Sequence, residues 1–140
     1  MTPVVHLSRC ISALPEAVFD AWLSPKSMAV FLCPGPGVKA AEIEVDPRPD
    51  GAFSLVMLAG DVRIPIRGAY RVIDRPHRLE FSWHSHRTTR DSVVSLTFRR
   101  DGFDTVMTLE HRGFVDEVAR EDHAGGWEHI LTCLALDLAG

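Results

Sequence analysis

The segment VDEVAREDHAGGWEHILTCLALDL, residues 115–138, decides the fold of this chain. Its large apolar residues recur every three or four positions, which places them on one face of a helix: Trp127, Ile130, Leu131, Leu134 and Leu138. The preceding region, from Val38 to His111, has the two-residue period of strands. A long amphipathic helix that follows a run of strands must bury its apolar face against the sheet. The sequence therefore predicts an α+β fold closed by its terminal helix.

The rest of the chain predicts one strand, two short helices and six further strands before that terminal helix. Residues 4–11 are rich in β-branched side chains, and Pro15 opens the first helix. A second helix over residues 26–32 ends at the sequence CPGPG. In the clearest strand, residues 62–72, one face is apolar and the other carries arginines, with Val62, Ile64, Ile66, Tyr70 and Val72 together on the apolar face. Short turns such as Asp101-Gly102 predict an antiparallel meander.

Length, charge and cysteine content restrict the class of protein. The 140 residues suit a single domain, residues 1–140, and 46% of them are hydrophobic. The net charge of −4 argues against nucleic acid or an anionic membrane as a partner. The sequence predicts neither a membrane-spanning segment nor a signal peptide. Its three widely spaced cysteines predict a reducing, cytoplasmic environment.

Six motifs in order give the chain a family resemblance: residues 15–22 (PEAVFDAW), 45–53 (VDPRPDGAF), 68–73 (GAYRVI), 76–83 (PHRLEFSW), 105–114 (TVMTLEHRGF) and Gly126-Trp127. With them the chain resembles the START-like superfamily, also called the birch-pollen-allergen-like superfamily. Within it, the sequence is most similar to bacterial proteins related to the C-terminal domain of the activator of the heat-shock protein 90 ATPase. The resemblance implies a helix-grip fold, in which a curved antiparallel sheet wraps the terminal helix around an apolar cavity. Members of this superfamily bind lipids, hormones or polyketides, and a few are enzymes.

The resemblance and the apolar strand faces together predict a ligand site between sheet and helix. Its candidate residues are Phe31, Phe53, Met57, Tyr70, Phe81, Trp83, Leu96, Met107, Leu109, His111, Trp127, Ile130, Leu131 and Leu134. Phe31 stands where the family tends to have a tryptophan-rich segment, a departure that would alter the mouth of a cavity. The alternative for the whole set is a closed, fully packed core.

Several polar residues are candidates for chemistry, each with a structural alternative. His111 is in phase with Met107 and Leu109, so it faces inward as a ligand contact, an acid or base, or a satisfied buried histidine. Tyr70 and Arg9 are further possible ligand contacts. His84 and His86 share a strand face, but no third ligand follows by spacing, and Cys33 has no adjacent base. The sequence therefore predicts no metal, no cofactor and no assigned catalytic residue.

Three functions remain open at this point. The first is binding of a small hydrophobic ligand that is lipid-like, polyketide-like or aromatic. The second is a cyclase- or hydrolase-type enzyme that uses His111 in the same pocket. The third is a cochaperone-like interaction module, although the full activator has an additional N-terminal domain that this sequence lacks. A homodimer through an exposed strand edge, or through the loop after the second helix, is also open.

The Gly125-Gly126 pair requires either a helix that begins near Trp127 or close packing against the helix backbone.

Overall fold

The computed structural model describes residues 3–139, and its order of elements is the predicted one. The elements are β1 (Val4–Ile11), α1 (Pro15–Ala21), α2 (Pro25–Phe31), β2 (Val38–Val45), β3 (Ala52–Ala59), β4 (Val62–Asp74), β5 (Arg78–Ser82), β6 (Thr88–Asp101), β7 (Asp104–Phe114) and α3 (Glu117–Ala139). β6 begins at Thr88, in the polar stretch that precedes its apolar part. An irregularity in β6 between Thr88 and Val93 interrupts the alternation there.

The strands form one antiparallel sheet in the order β1-β7-β6-β5-β4-β3-β2. Strands β2 to β7 pair successively, so the predicted meander is confirmed. The first strand, β1, pairs with β7 at the far end of the sheet, with Val5 opposite His111 and Leu7 opposite Leu109. The segment with α1 and α2 carries the chain from one edge of the sheet to the other. The edges are β1 and β2.

A bulge in β4 changes which of its side chains face inward. The register shifts between Tyr70 and Val72, so Val72 lies opposite Glu80 and Ile73 lies opposite the buried Leu79. Because a one-residue insertion reverses the side-chain alternation, Ile73 packs against the core. The expectation that Val72 shares a face with Tyr70 was therefore wrong.

Gly68 permits a close approach between β4 and its neighbours. A Cβ at this position would clash with the carbonyl oxygen of Ser82 and would lie 2.6 Å from Cε1 of Phe53. The Phe53 ring therefore lies directly over the glycine backbone. No side chain larger than hydrogen fits there without movement of β3 or β5.

The terminal helix α3 is longer than its apolar stripe. Oδ1 of Asp116 accepts a hydrogen bond from the Ala119 backbone N–H at 2.8 Å, an N-cap that starts the helix well before Trp127. The helix continues through Gly125 and Gly126, so the proposed start near Trp127 was wrong. At Gly126 a Cβ would lie 3.1 Å from Cβ of Pro34, which confirms close packing at that glycine. Within residues 3–139, no helix has the length and apolarity required to cross a membrane.

The core lies between the concave face of the sheet and the three helices. Aromatic rings fill its centre: Trp22 packs edge-on against Phe31 at 4.9 Å between centroids, and Phe53 packs edge-on against Phe81 at 5.5 Å. The apolar face of α3 is buried as predicted, with Trp127, Ile130, Leu131 and Leu134 each at most 2% exposed. The observed architecture is the predicted α+β helix-grip arrangement.

Candidate ligand-binding cleft

A cleft opens where α3 and the α2–β2 loop meet the strands β3 and β4. Its volume is about 290 Å³. The apolar part of its lining comes from the sheet, from α3 and from the loop: Met57, Ile64, Ile66, Trp83, Gly126, Trp127, Ile130 and Pro34. The remaining lining residues are polar: Ser85, His86, Arg87, Asp122 and His123. We call this space the Trp83–Trp127 cleft.

The two tryptophans that name the cleft pack against each other, with 5.0 Å between ring centroids. Both are almost fully buried, at 4% and 2% exposure. The Nε1–H of Trp127 is hydrogen-bonded, whereas Nε1 of Trp83 is buried with no partner in the described part of the chain. A buried N–H without a partner costs about 1–3 kcal/mol. The unpaired N–H of Trp83 is therefore a destabilising feature in the wall of the cleft.

His111 holds Trp127 in place from behind. Its Nδ1 accepts a hydrogen bond from Trp127 Nε1–H at 2.9 Å, and its Nε2 lies 2.8 Å from Ser92 Oγ. Because an indole N–H can only donate, Nδ1 is unprotonated, and the neutral ring donates from Nε2 to Ser92. Burial, with a smaller contribution from His123, lowers the pKa of His111 to about 3. Both ring nitrogens are therefore engaged, and the residue is a satisfied buried histidine that positions Trp127.

His123 is one of the polar groups that line the cleft. Its Nδ1 lies 2.8 Å from the carbonyl oxygen of Ala119, so Nδ1 carries the proton and donates. Burial lowers the pKa of His123, which favours the neutral ring. In this tautomer Nε2 is the acceptor that the side chain can offer to a molecule in the cleft.

An ion pair lies at the rim of the cleft. Nη1 of Arg87 lies 2.5 Å from Oδ2 of Asp122, with 31% of the arginine side chain and 60% of the aspartate side chain exposed. The two charges compensate each other, so the rim offers little net charge to a ligand. The pair also joins the β5–β6 connection to the first half of α3.

The fourteen predicted ligand residues divide among three places. Four of them line the cleft: Met57, Trp83, Trp127 and Ile130. Trp83 also borders a void of about 10 Å³ together with three more of them, Phe53, Tyr70 and Phe81. The others are buried in the core away from both spaces: Phe31, Leu96, Met107, Leu109, His111, Leu131 and Leu134. Phe31 is thus packed against Trp22 in the interior and does not form a cavity mouth.

The internal void is only large enough for about one water molecule. Trp22 and Trp83 both border it, and Nε1 of each is buried without a partner among residues 3–139. Tyr70 also borders it, and burial together with the Asp46 carboxylate raises the pKa of Tyr70 to about 12. Three of the residues that border the void therefore carry a polar atom on an aromatic ring.

Two wider grooves lie on the outer side of the sheet. Their volumes are about 600 and 650 Å³, and their linings include charged outward-facing residues such as Glu44 and Arg67. His84 borders both grooves. The Trp83–Trp127 cleft differs from these grooves in its mainly apolar walls, which is the lining typical of small-molecule sites. Arg9, another candidate, is occupied by a hydrogen bond to Oγ1 of Thr132 at 3.0 Å.

The sequence analysis missed several residues of the cleft. Ile64 and Ile66 were placed on the apolar face of their strand together with Tyr70, but they were left out of the candidate ligand residues. Pro34 and His123 could not have been identified, since their position depends on how the loop and α3 meet. The structure also brings Cys33 next to His129 and Cys133, with all three ligand atoms within 4.8 Å of one another. The spacing of His129 and Cys133, one helical turn apart, was the available signal.

The fold and the cleft define a class of α+β protein in which a curved antiparallel sheet grips a C-terminal helix. Residues 12–138 match the family model described as "Activator of Hsp90 ATPase homolog 1-like protein", and the chain belongs to that family. This membership is consistent with the START-like superfamily.

Solved structures share the fold at low sequence identity. Protein CV1439 from Chromobacterium violaceum is 24% identical with a TM-score of 0.91, over 99% of this chain and 98% of that one. The AHSA1-like protein from Aeromonas hydrophila is 21% identical with a TM-score of 0.78, over 94% and 90% of the two chains. CalU16 from Micromonospora echinospora is 22% identical with a TM-score of 0.73, over 97% and 76%. No curated protein matches the chain.

Proposed function

We propose that the protein binds a small, neutral, apolar molecule in the Trp83–Trp127 cleft. The observation that carries this proposal is the cleft itself, whose walls are two buried tryptophans and the apolar side chains of Met57, Ile64 and Ile66 of the sheet. Its volume of about 290 Å³ is at the lower end of the range for ligand sites, which is about 300–1,000 Å³. The occupant is therefore the size of one or two fused rings and smaller than a two-chain lipid.

The polar groups of the cleft suggest further properties of the ligand. His123 is held neutral and offers an acceptor, so a ligand with one hydroxyl or N–H group gains a hydrogen bond. Arg87 is already paired with Asp122, so an anionic group finds no uncompensated partner at that point of the rim. These features favour a phenol-like or alcohol-bearing ring over a carboxylate or a phosphate.

Calorimetric titration with 2-naphthol and naphthalene tests the proposal, because the two probes have the same rings and differ by one hydroxyl. We expect both to bind and 2-naphthol to bind more tightly by about fivefold to tenfold, the equivalent of one net hydrogen bond of about 1 kcal/mol. Replacement of His123 by Phe should remove the difference between the probes. If neither probe binds, the proposed site is refuted.

A pair of variants on β4 localises the binding. Ile64 lines the cleft, so Ile64→Trp should fill it and abolish binding of 2-naphthol. Val62 lies two residues away and is 57% exposed, so Val62→Trp adds the same bulk outside the cleft and should leave binding unchanged. Equal affinities in the two variants would show that the probe binds elsewhere.

The free cysteines and the edge strands of the sheet bear on where the protein is located and how it assembles. Cys10, Cys33 and Cys133 are free thiols, which supports a reducing compartment such as the cytoplasm. The edge strands β1 and β2 are where a second copy could pair to form a homodimer. Light scattering of the purified protein would measure the oligomeric state directly.

A further inference from the structure

Two cysteines and a histidine meet on the side of α3 next to the α2–β2 loop. Sγ of Cys33 lies 3.2 Å from Sγ of Cys133, and His129 completes a group whose ligand atoms are all within 4.8 Å of one another. All three residues are partly buried. The cluster lies outside the lining of the Trp83–Trp127 cleft, so the proposed ligand site does not account for it.

The local structure explains why these residues converge. His129 and Cys133 are four residues apart in α3 and thus project from one face of the helix. Cys33 follows α2, and its neighbour Pro34 packs against Gly126. Because Gly126 has no side chain, the loop can lie against the helix, and this close contact brings the Cys33 thiol to the Cys133 thiol.

We propose that Cys33, His129 and Cys133 bind a single zinc ion. Thiolate and imidazole are the ligands that zinc prefers, and three protein ligands with one open position are typical of a site that retains a water or takes up an exogenous ligand. In a tetrahedral site with Zn–S bonds of about 2.3 Å, the sulfurs are about 3.8 Å apart, so the two thiols need to separate by only about half an ångström.

A surface groove provides room for the fourth ligand. This groove of about 380 Å³ borders Cys33 and His129 and is otherwise lined by α2, the glycine-proline loop and the start of β2. Within residues 3–139, the cluster contains only these three potential metal-ligating side chains. The fourth position is therefore occupied by water or by a small molecule from this groove.

The geometry favours a metal over a disulfide. A Cys33–Cys133 disulfide would use only two of the three converging side chains and would leave the proximity of His129 without a role. Zinc binding uses all three. It replaces the two thiol protons, which pass to solvent, and it transfers no electrons.

Titration of the reduced, full-length protein with Zn²⁺ against a chromophoric chelator tests the proposal. We expect one equivalent to bind. Cys33→Ser, Cys133→Ser and His129→Gln should each weaken binding by at least about tenfold, since even outer-shell partners are worth about 10- to 100-fold. Cys10 is exposed on β1, and Cys10→Ser is the matched control that should bind Zn²⁺ as the wild type does. Equal loss in this control would overturn the proposal.

A second measurement uses only the wild-type protein, so it does not depend on the variants folding. Zn²⁺ should protect Cys33 and Cys133 from alkylation by iodoacetamide while Cys10 continues to react. Co²⁺ in place of Zn²⁺ should give the thiolate-to-metal charge-transfer absorption of a two-sulfur site. Equal alkylation of all three cysteines with and without Zn²⁺ would overturn the assignment. The assignment would also be overturned if the reduced protein takes up no metal and is oxidised by air to a Cys33–Cys133 disulfide, with loss of the two thiol hydrogens.

Discussion

Protonation of His111 should destabilise the protein at mildly acidic pH. In the folded state burial lowers the pKa of this ring from 6.5 to about 3, while the unfolded chain keeps the ordinary value. The unfolded state therefore binds more protons between those two values, and the stability that the neutral ring provides is lost as the pH falls below about 6.5. At pH 5, about 1.5 units below the unfolded pKa and at about 1.36 kcal/mol per unit, the loss is about 2 kcal/mol.

The geometry gives the reason for this sensitivity. A proton on Nδ1 would face the Trp127 Nε1–H, which now donates to that nitrogen at 2.9 Å. Two donors would then point at each other in a site where His111 has no solvent exposure. Native His111 therefore stays neutral until the pH is low enough to unfold the protein around it.

Urea unfolding at pH 7 and pH 5, followed by tryptophan fluorescence, measures the effect. His111→Asn keeps an acceptor for Trp127 without a titratable ring, so its loss of stability between the two pH values should be smaller than that of the wild type by about 2 kcal/mol. His6→Asn, at an exposed position on β1, is the control and should retain the full loss. Identical pH dependence in wild type and His111→Asn would refute the reasoning.

Two further predictions concern the walls of the cleft and the sheet beneath them. Trp127→Phe leaves the buried Nδ1 of His111 without its hydrogen-bond donor. This variant should therefore lower the free energy of unfolding in urea by about 1–3 kcal/mol or more, and it should bind 2-naphthol more weakly. Unchanged stability would contradict the assigned hydrogen bond. Gly68→Ala places a Cβ against the Ser82 carbonyl and should lower the free energy of unfolding by more than about 2 kcal/mol. Gly35→Ala, at a position with open space, is the control and should lower it by less than about 0.5 kcal/mol. Thermal unfolding of the two variants measures the difference.

Much of the fold was predictable because each strand has its own two-residue pattern and short turns leave few ways to pair them. Phe53 and Met57 were predicted to face inward, and both are buried. The prediction failed at Val72, where a bulge inserts one residue and reverses the alternation. Nothing in the amino-acid types of residues 70–72 distinguishes such a bulge from regular strand, since it is fixed by the register with β5.

The candidate site was less predictable, because it depends on where the helices leave the sheet uncovered. Leu96, Met107 and Leu109 have the same inward pattern as Met57, yet they lie beneath packed core while Met57 borders the cleft. The contacts of α3 are mainly with β1 and α2, so the space beside β3 and β4 stays partly open. The two-residue period shows which face of a strand a residue is on. Helix packing determines which residues of that face border the cleft.

His111 illustrates the same limit for a polar residue. Its inward orientation followed from the alternation of β7 and is confirmed by its complete burial. Its partners, Ser92 and Trp127, are 19 and 16 residues away in the chain, and no spacing rule connects them to it. The meeting of Cys33 with Cys133 spans 100 residues and escaped sequence reasoning for the same reason.

The glycine pair in α3 has a consequence for how a ligand could enter. Gly126 is held against Pro34, but Gly125 has open space around it. Two glycines weaken the helix at this point by about 2 kcal/mol relative to alanines. The turns before them carry Asp122 and His123 of the cleft, while the turns after them are anchored in the core through Ile130 and Leu134. Fraying of the first half of α3 would thus admit a ligand to the cleft without any change in the sheet.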